Sequence, residues 1–408
     1  MVGLASGGSA SSVATERSGA TDFQRAVLNL VPEVRRRAVQ AEQERKLPPE
    51  TIASLRQSGL FRAFVPRSRG GDERQLSEVL EALTELAVGC PSSAWVGALA
   101  AIHNIAVCWL GPQGQDEILA DGPDVMIASS VAPTGTLART AGGFRLAGRW
   151  RFSSGVDHAQ WIMLGSNLKP ASVSAPPEYF LSFIRAAEVT LIDDWHVAGL
   201  RATGSKSLEL TEVFVPDHRA LLLRMVAEGV APGLALHPSP FYRLPWTPLF
   251  VSAFAPAALG TAIAMLEGFR EHSVARISGM SGRPFRTNTG SAIRMAEAAA
   301  QIDAARLVFR RDLAALDRCA SAGSPFVPGT TERIPYDVAF VVDACSRAVL
   351  QLFRGSGGSV LHESNPLQRH FRDIHAMTQH ASLDTDGAAE TYGRALFHNR
   401  MLSLGARE

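Results

Sequence analysis

The chain has 408 residues, with 40 Lys and Arg against 39 Asp and Glu, for a formal net charge of +1. That balance argues against nucleic acid or an acidic membrane as the main partner, because both select a basic surface. Hydrophobic residues make up 46% and charged residues 19%, and a chain this long buries roughly three quarters of its unfolded surface. It therefore needs no disulfide or metal staple. Cys90, Cys108, Cys319 and Cys345 lack CxxC spacing and read as buried free thiols of a reducing cytosol. The histidines form no HExxH, so no metal is expected.

Residues 1–21 are rich in Ser, Gly and Ala without an apolar run, which reads as a disordered tail and not a signal peptide. Residues 22–122 are helical in pattern. Pro48-Pro49-Glu50 opens a short helix through Ile52 and Leu55 that stops at Gly59. Leu76, Val79, Leu80, Leu83 and Leu86 mark one apolar helix face, and a further helix starts near Pro91-Ser92-Ser93 and carries His103.

Residues 123–229 change period. Short alternating runs such as Trp150-Arg151-Phe152 and Trp161-Ile162-Met163-Leu164 lie between Gly and Pro turns, which predicts a small β barrel or sandwich. From residue 230 a proline-rich connection carries Phe241, Tyr242 and Trp246, aromatic candidates for the wall of a substrate pocket. Leu249 to Leu266 is uncharged, but its small residues and Pro256 fit a buried bundle helix and not a membrane span. Helices over 291–313, 337–353, 366–380 and 384–397 then predict a four-helix bundle filling 230–408. The fold class is α+β: an α domain, a β domain and a helical bundle.

Four segments add identity to this order. They are Cys90-Pro91-Ser92-Ser93-Ala94-Trp95, Gly148-Arg149-Trp150-Arg151-Phe152-Ser153-Ser154-Gly155, Trp195-His196-Val197-Ala198-Gly199-Leu200-Arg201, and Asn365-Pro366-Leu367-Gln368-Arg369-His370-Phe371-Arg372-Asp373-Ile374-His375. With Val65-Pro66-Arg67-Ser68-Arg69-Gly70-Gly71, they make the chain resemble the acyl-CoA dehydrogenase fold. Within it, the chain resembles the branch of two-component flavin-dependent monooxygenases, whose oxygenases take reduced flavin from a separate reductase. Many dehydrogenases of the fold carry a catalytic glutamate where this chain has Ala381. A methyl group cannot remove a proton, which disfavours the competing reading of an acyl-CoA dehydrogenase or oxidase.

The resemblance implies the following roles. His380 is a catalytic residue that takes a proton from a phenol or returns one to peroxide, or orients the substrate, since an imidazole titrates near neutral pH. Ser154, with Ser153 as the alternative, holds the flavin N5 region and a C4a-hydroperoxide formed from O₂. His103 and Ser129 (or Ser130) bind the substrate hydroxyl or the flavin, with Phe241 and Trp246 as pocket wall. Trp150 and Phe152 flank the flavin ring, while Arg276, Phe285, Gly357 and Gly358 take its phosphate end. Glycine there lets backbone N–H groups approach closely. His370, Asp373, Met377 and His380 share a helical face by spacing. The cofactor is reduced FMN or FAD with O₂ as co-substrate. The expected product is a hydroxylated aromatic, with N- or S-oxygenation as an alternative. A cytoplasmic homotetramer is implied.

Overall fold

The computed structural model describes residues 20–169, 177–277, 282, 284–323 and 326–398. Its N-terminal layer holds α1 (Asp22–Leu28), α2 (Val31–Glu44), α3 (Pro49–Gln57), α4 (Leu76–Gly89), α5 (Pro91–Val107) and α6 (Pro112–Ile118). Thr21 and Gln24 form a reciprocal capping box that starts α1. Helix α5 is buried along its whole length, consistent with its small apolar residues. Its polar side chains are satisfied locally: Asn104 Nδ2 donates to the carbonyls of Phe61 and Val125 at 2.7 and 3.0 Å.

The middle region is one seven-stranded sheet. Its strands are β1 (Ile127–Thr140), β2 (Gly143–Ser153), β3 (Trp161–Leu168), β4 (Glu178–Arg185), β5 (Thr190–Ile192), β6 (Lys206–Pro216) and β7 (Ala220–Leu222). They run in the order β5-β6-β2-β1-β3-β4-β7. Among the described residues only the β1–β3 pair is parallel. The period of two sorts the sheet's faces. Trp161, Met163, Leu181 and Phe183 join the helical core, whereas Ile162, Leu164, Phe180 and Ile184 join a second core around Trp150. The predicted barrel or sandwich is thus a single sheet that encloses its own small core.

After the short α7 (Leu223–Ala227) come α8 (Trp246–Ser252), α9 (Ala255–Ala275), α10 (Thr289–Ala322), α11 (Thr330–Ser356), α12 (Pro366–Met377) and α13 (Thr385–His398). Helices α9 to α12 pack on one another, α13 packs on α11, and α9 also rests on α4 and α5. The stretch Trp246–Ala275 is long and apolar enough to cross a membrane, but 89% of its apolar window is buried inside the protein. Helix α12 stops at Met377, short of the predicted end near His380. His380 is extended (φ −72°, ψ 131°) and caps the turn Ala381–Leu383.

Candidate active site

Where α5 meets β1, the Nδ1 of His103 lies 2.7 Å from the Ile127 carbonyl oxygen, and its Nε2 lies 2.8 Å from Ser129 Oγ. A carbonyl only accepts, so Nδ1 carries the hydrogen. Burial holds the His103 pKa down at about 4, so the ring is neutral and Nε2 is bare. Ser129 therefore donates to His103 and keeps lone pairs for another donor. Ser130, the alternative, is buried and donates to the Arg151 carbonyl at 2.8 Å.

His380 has the opposite arrangement. Its Nδ1 accepts the Ser382 amide N–H at 3.2 Å. Burial lowers its pKa to about 4, so the neutral ring carries its hydrogen on Nε2. Among the described residues Nε2 has no protein partner. His380 therefore offers a donor. The general-base role expected of it requires a bare Nε2, which would put the hydrogen on Nδ1 against the Ser382 amide. In this tautomer the ring can return a proton or orient a substrate, and it can take one up at Nε2 only after its own hydrogen moves to Nδ1.

Aromatic side chains link the two histidines. His103 stacks on Phe250 (6.2 Å between centroids), Phe250 meets Phe254 edge-on (5.4 Å), and Phe254 lies against His380 (4.3 Å). Trp246 stacks on Phe250 at 4.9 Å. Trp246, Phe250 and Phe254 are spaced four apart, a helix-face spacing that could have flagged the last two. On the far side His380 meets Trp95 (5.6 Å), and Trp95 Nε1 donates to Ser154 Oγ at 3.1 Å. His103, Ser129, Ser154 and His380 thus belong to one contact chain. Trp95 links Ser154 to the histidines, and the sequence marks it only by its place in the Cys90–Trp95 segment.

Ser154, not Ser153, reaches this chain. Ser153 is fully buried and its hydroxyl has no partner. The register of β2 against β6 shifts between Trp150 and Ser153, and Phe152 sits at φ +66°, a costly conformation for a large residue. This bulge separates two residues that strict alternation would have kept on one face. Phe152 is turned out, 65% exposed, with its ring edge-on to Trp195. Trp150 stays in. It is wholly buried, its indole N–H donates to the Gly165 carbonyl at 2.7 Å, and a Cβ on Gly135 would come within 2.1 Å of its ring. Trp150 is the core of the sheet and cannot flank a ligand.

Phe241 is likewise corrected. It is buried against Phe64 and Tyr242, and its open edge lines a surface cleft with Arg67, Ser239 and Asp317. It has no ring contact with the histidine wall. His370 and Asp373, placed by spacing beside His380, are buried. Burial pushes the Asp373 pKa up to about 6, and its Oδ1 accepts the Leu200 N–H at 2.7 Å.

A second cluster stands at the end of α9. Arg276 lies over the Phe285 ring at 4.4 Å and donates through Nη1 to the Ser356 carbonyl. A Cβ on Gly357 would come within 2.2 Å of that Nη1, and Gly357 adopts φ +75° with ψ −179°, a region essentially reserved for glycine. Gly358 has open space where a side chain would stand. These four predicted residues are together. Ala381, at the dehydrogenase glutamate position, is exposed in the turn after His380. No group of His, Cys, Asp or Glu among the described residues is arranged to hold a metal ion.

Residues 252–385 match the model of the acyl-CoA dehydrogenase C-terminal domain family. The chain is 32% identical over 378 residues to the flavin-dependent monooxygenase oxygenase subunit HsaA of Rhodococcus jostii (strain RHA1), covering 90% of this chain and 96% of that one. It is 32% identical to the oxygenase component of p-hydroxyphenylacetate 3-hydroxylase from Acinetobacter baumannii, covering 91% and 87%. Among solved structures, XiaF from Streptomyces sp. in complex with FADH2 and glycerol superposes with a TM-score of 0.84 at 28% identity, covering 97% of this chain and 99% of that one.

Proposed function

The chain belongs to the oxygenase components of two-component flavin-dependent monooxygenases, and we propose that it hydroxylates an uncharged, flat aromatic compound bearing a phenol-type hydroxyl. The observation that carries this reading is the contact chain from Ser129 through His103, Phe250, Phe254, His380 and Trp95 to Ser154.

The residues present fit a flavin. Ser154, two residues after the exposed Phe152, has a hydroxyl that receives Trp95 Nε1–H, and Gly357, Gly358, Arg276 and Phe285 form a glycine turn with a cation, suited to a phosphate. Reduced flavin, when bound, supplies the electrons with which O₂ becomes an oxygen-atom donor. FMN and FAD both suit this cradle. A separate reductase delivers the reduced form, in keeping with the lack of a GxGxxG dinucleotide motif.

The chain's own groups divide the proton work. Trp95, Trp246, Phe250 and Phe254 carry no charge and exclude water from a planar substrate. The substrate hydroxyl donates to Ser129 Oγ, whose own hydrogen is held by His103 Nε2. With its pKa near 4, His103 is too weak to ionise a free phenol, whose pKa is about 10. It becomes competent once oxygenation of the ring makes that hydrogen strongly acidic. The proton then passes through Ser129 to Nε2, while the Ile127 carbonyl steadies the imidazolium through Nδ1–H. His380 donates from Nε2 toward negative charge at the oxygen being transferred or released.

The bundle surface suits assembly. Ile277 is 65% exposed beside Arg276, and Leu307 on α10 is 60% exposed. Apolar side chains at the bundle surface suit burial against further copies, and a homotetramer is the form proposed. The test is turnover with a flavin reductase, ¹⁸O₂ and a panel of phenols and indoles, read by mass spectrometry. One labelled oxygen in a ring product is expected. Hydrogen peroxide as the sole product across the panel would overturn the aromatic assignment.

A further inference from the structure

Behind Ser154 runs a chain of hydroxyls whose hydrogens can be counted. Thr203 Oγ1 lies 2.8 Å from the Leu200 carbonyl oxygen, Ser205 Oγ lies 2.6 Å from Thr203 Oγ1, and Ser154 Oγ lies 2.8 Å from Ser205 Oγ. The carbonyl cannot donate, so the Thr203 hydrogen is committed to it. Ser205 must then donate to Thr203, and Ser154 must donate to Ser205. Trp95 Nε1–H, a pure donor, closes the series by giving its hydrogen to Ser154 Oγ. Every hydrogen therefore runs from Trp95 toward Leu200, and Ser154 is left with one lone pair and nothing to donate.

The far end of the chain is fixed. Leu200 adopts φ +52°, its N–H donates to the buried Asp373 carboxyl at 2.7 Å, and its carbonyl also receives Trp195 Nε1–H at 3.3 Å. The turn after β2 is tied to the same segment, since the Gly155 N–H donates to the Thr203 carbonyl at 2.7 Å. Thr203 and Ser205 are buried, so water cannot readily replace either hydroxyl.

We propose that Thr203 and Ser205 are positioning residues that hold the Ser154 hydrogen away from the flavin, so that the site accepts the N5–H of reduced flavin and discriminates against oxidised flavin. N5 of a reduced flavin carries a hydrogen and meets the Ser154 lone pair as a donor. N5 of an oxidised flavin is a bare acceptor and meets that lone pair with no hydrogen between them. The inference rests on the reading that flavin N5 lies at Ser154. A lost hydrogen bond and an unpaired group together correspond to roughly ten- to hundredfold in relative affinity.

The experiment measures the dissociation constants of reduced and oxidised FMN and FAD anaerobically for the wild type and variants. The readout is the ratio of oxidised to reduced constants. Thr203→Val keeps the shape of the side chain and removes the terminal acceptor. Ser205 can then turn its hydrogen to Ser154 and free the Ser154 hydrogen for the flavin. The ratio is expected to fall at least tenfold, with a matching fall of ~30 mV per tenfold in the potential of the bound flavin. Thr203→Ser retains the hydroxyl and should keep the wild-type ratio. Ser205→Ala provides a second interruption should Thr203→Val disturb the fold, checked by near-UV circular dichroism. Ser154→Ala should lose the preference, and adding Thr203→Val to it should change nothing more. A lowered ratio in Ser154→Ala with none in Thr203→Val or Ser205→Ala overturns the role of the hydroxyl chain but leaves flavin at Ser154. The same loss from Thr203→Val in both backgrounds also overturns it, since that marks a merely structural effect. A wild-type ratio unmoved by Ser154→Ala overturns the placement of N5 itself.

Discussion

His103 and His380 stand at opposite ends of one aromatic wall, and burial holds both near a pKa of 4. They nevertheless offer opposite chemistry. His103 gives its hydrogen to a carbonyl and leaves Nε2 bare, whereas His380 receives an amide N–H and leaves Nε2 protonated. Burial sets the charge of each ring; the partner of Nδ1 sets what the other nitrogen can do. A general base and a hydrogen-bond donor can therefore share one dry pocket without either being ionised at rest.

The largest effect should come from breaking the accepting end. Ser129→Ala and His103→Asn are each expected to lower aromatic hydroxylation about 10²- to 10⁴-fold, with reduced flavin still binding and hydrogen peroxide replacing product. Because the two act as one proton path, the double variant should cost little more than either single one. Additive losses would mean that Ser129 and His103 act separately. A smaller effect is expected at the donating end. His380→Ala should lower product yield per reduced flavin by roughly 10- to 100-fold, the worth of a donor to developing charge. His380→Asn keeps both an acceptor for the Ser382 amide and a donor, and should recover most of that loss. If the Asn variant were as impaired as the Ala variant, His380 would need its imidazole basicity, and the contrast between the two rings would fail.

How much of this was legible differs from residue to residue. The order of helices, sheet and bundle follows from a change of hydrophobic period, and His103, Ser129, Ser154 and His380 follow from motif positions. Trp150 and Phe152 show where such reading stops. Two residues apart in a strand, they share a face by alternation. The bulge between Trp150 and Ser153 breaks that period, and nothing in the local composition announces it. The ring tautomers were equally hidden, because they depend on the Ile127 carbonyl and the Ser382 amide, backbone groups without sequence identity. Phe241 failed for a different reason: an aromatic residue in a proline-rich connection satisfies the same pattern whether it lines a pocket or packs on Phe64.

The smallest expected effect on activity is the most direct test of both rings being neutral. His103 and His380 fold with pKa values near 4, and His370 near 3, all lowered by burial from about 6.5 in an unfolded chain. Below pH 6.5 the unfolded state binds protons that these folded rings refuse, so stability is fully present above that pH and is lost as pH falls toward 4. Each ring contributes a loss of roughly 2 kcal/mol by pH 5. Asp373 opposes this. Its folded pKa is raised to about 6, so the folded state takes up a proton first and gains stability as pH falls through that value. Asp312, raised by burial to about 7, opposes the loss in the same way. Three histidines outweigh the two carboxyls, so the unfolding midpoint in denaturant should drop between pH 7 and pH 5, while the rate of hydroxylation by the folded enzyme shows no ionisation step from either ring across that range. A clear step in rate near pH 6.5 that disappears in His380→Asn would mean that His380 is charged in the working enzyme. The two ends of the wall would then differ in charge, and not only in which nitrogen carries the hydrogen.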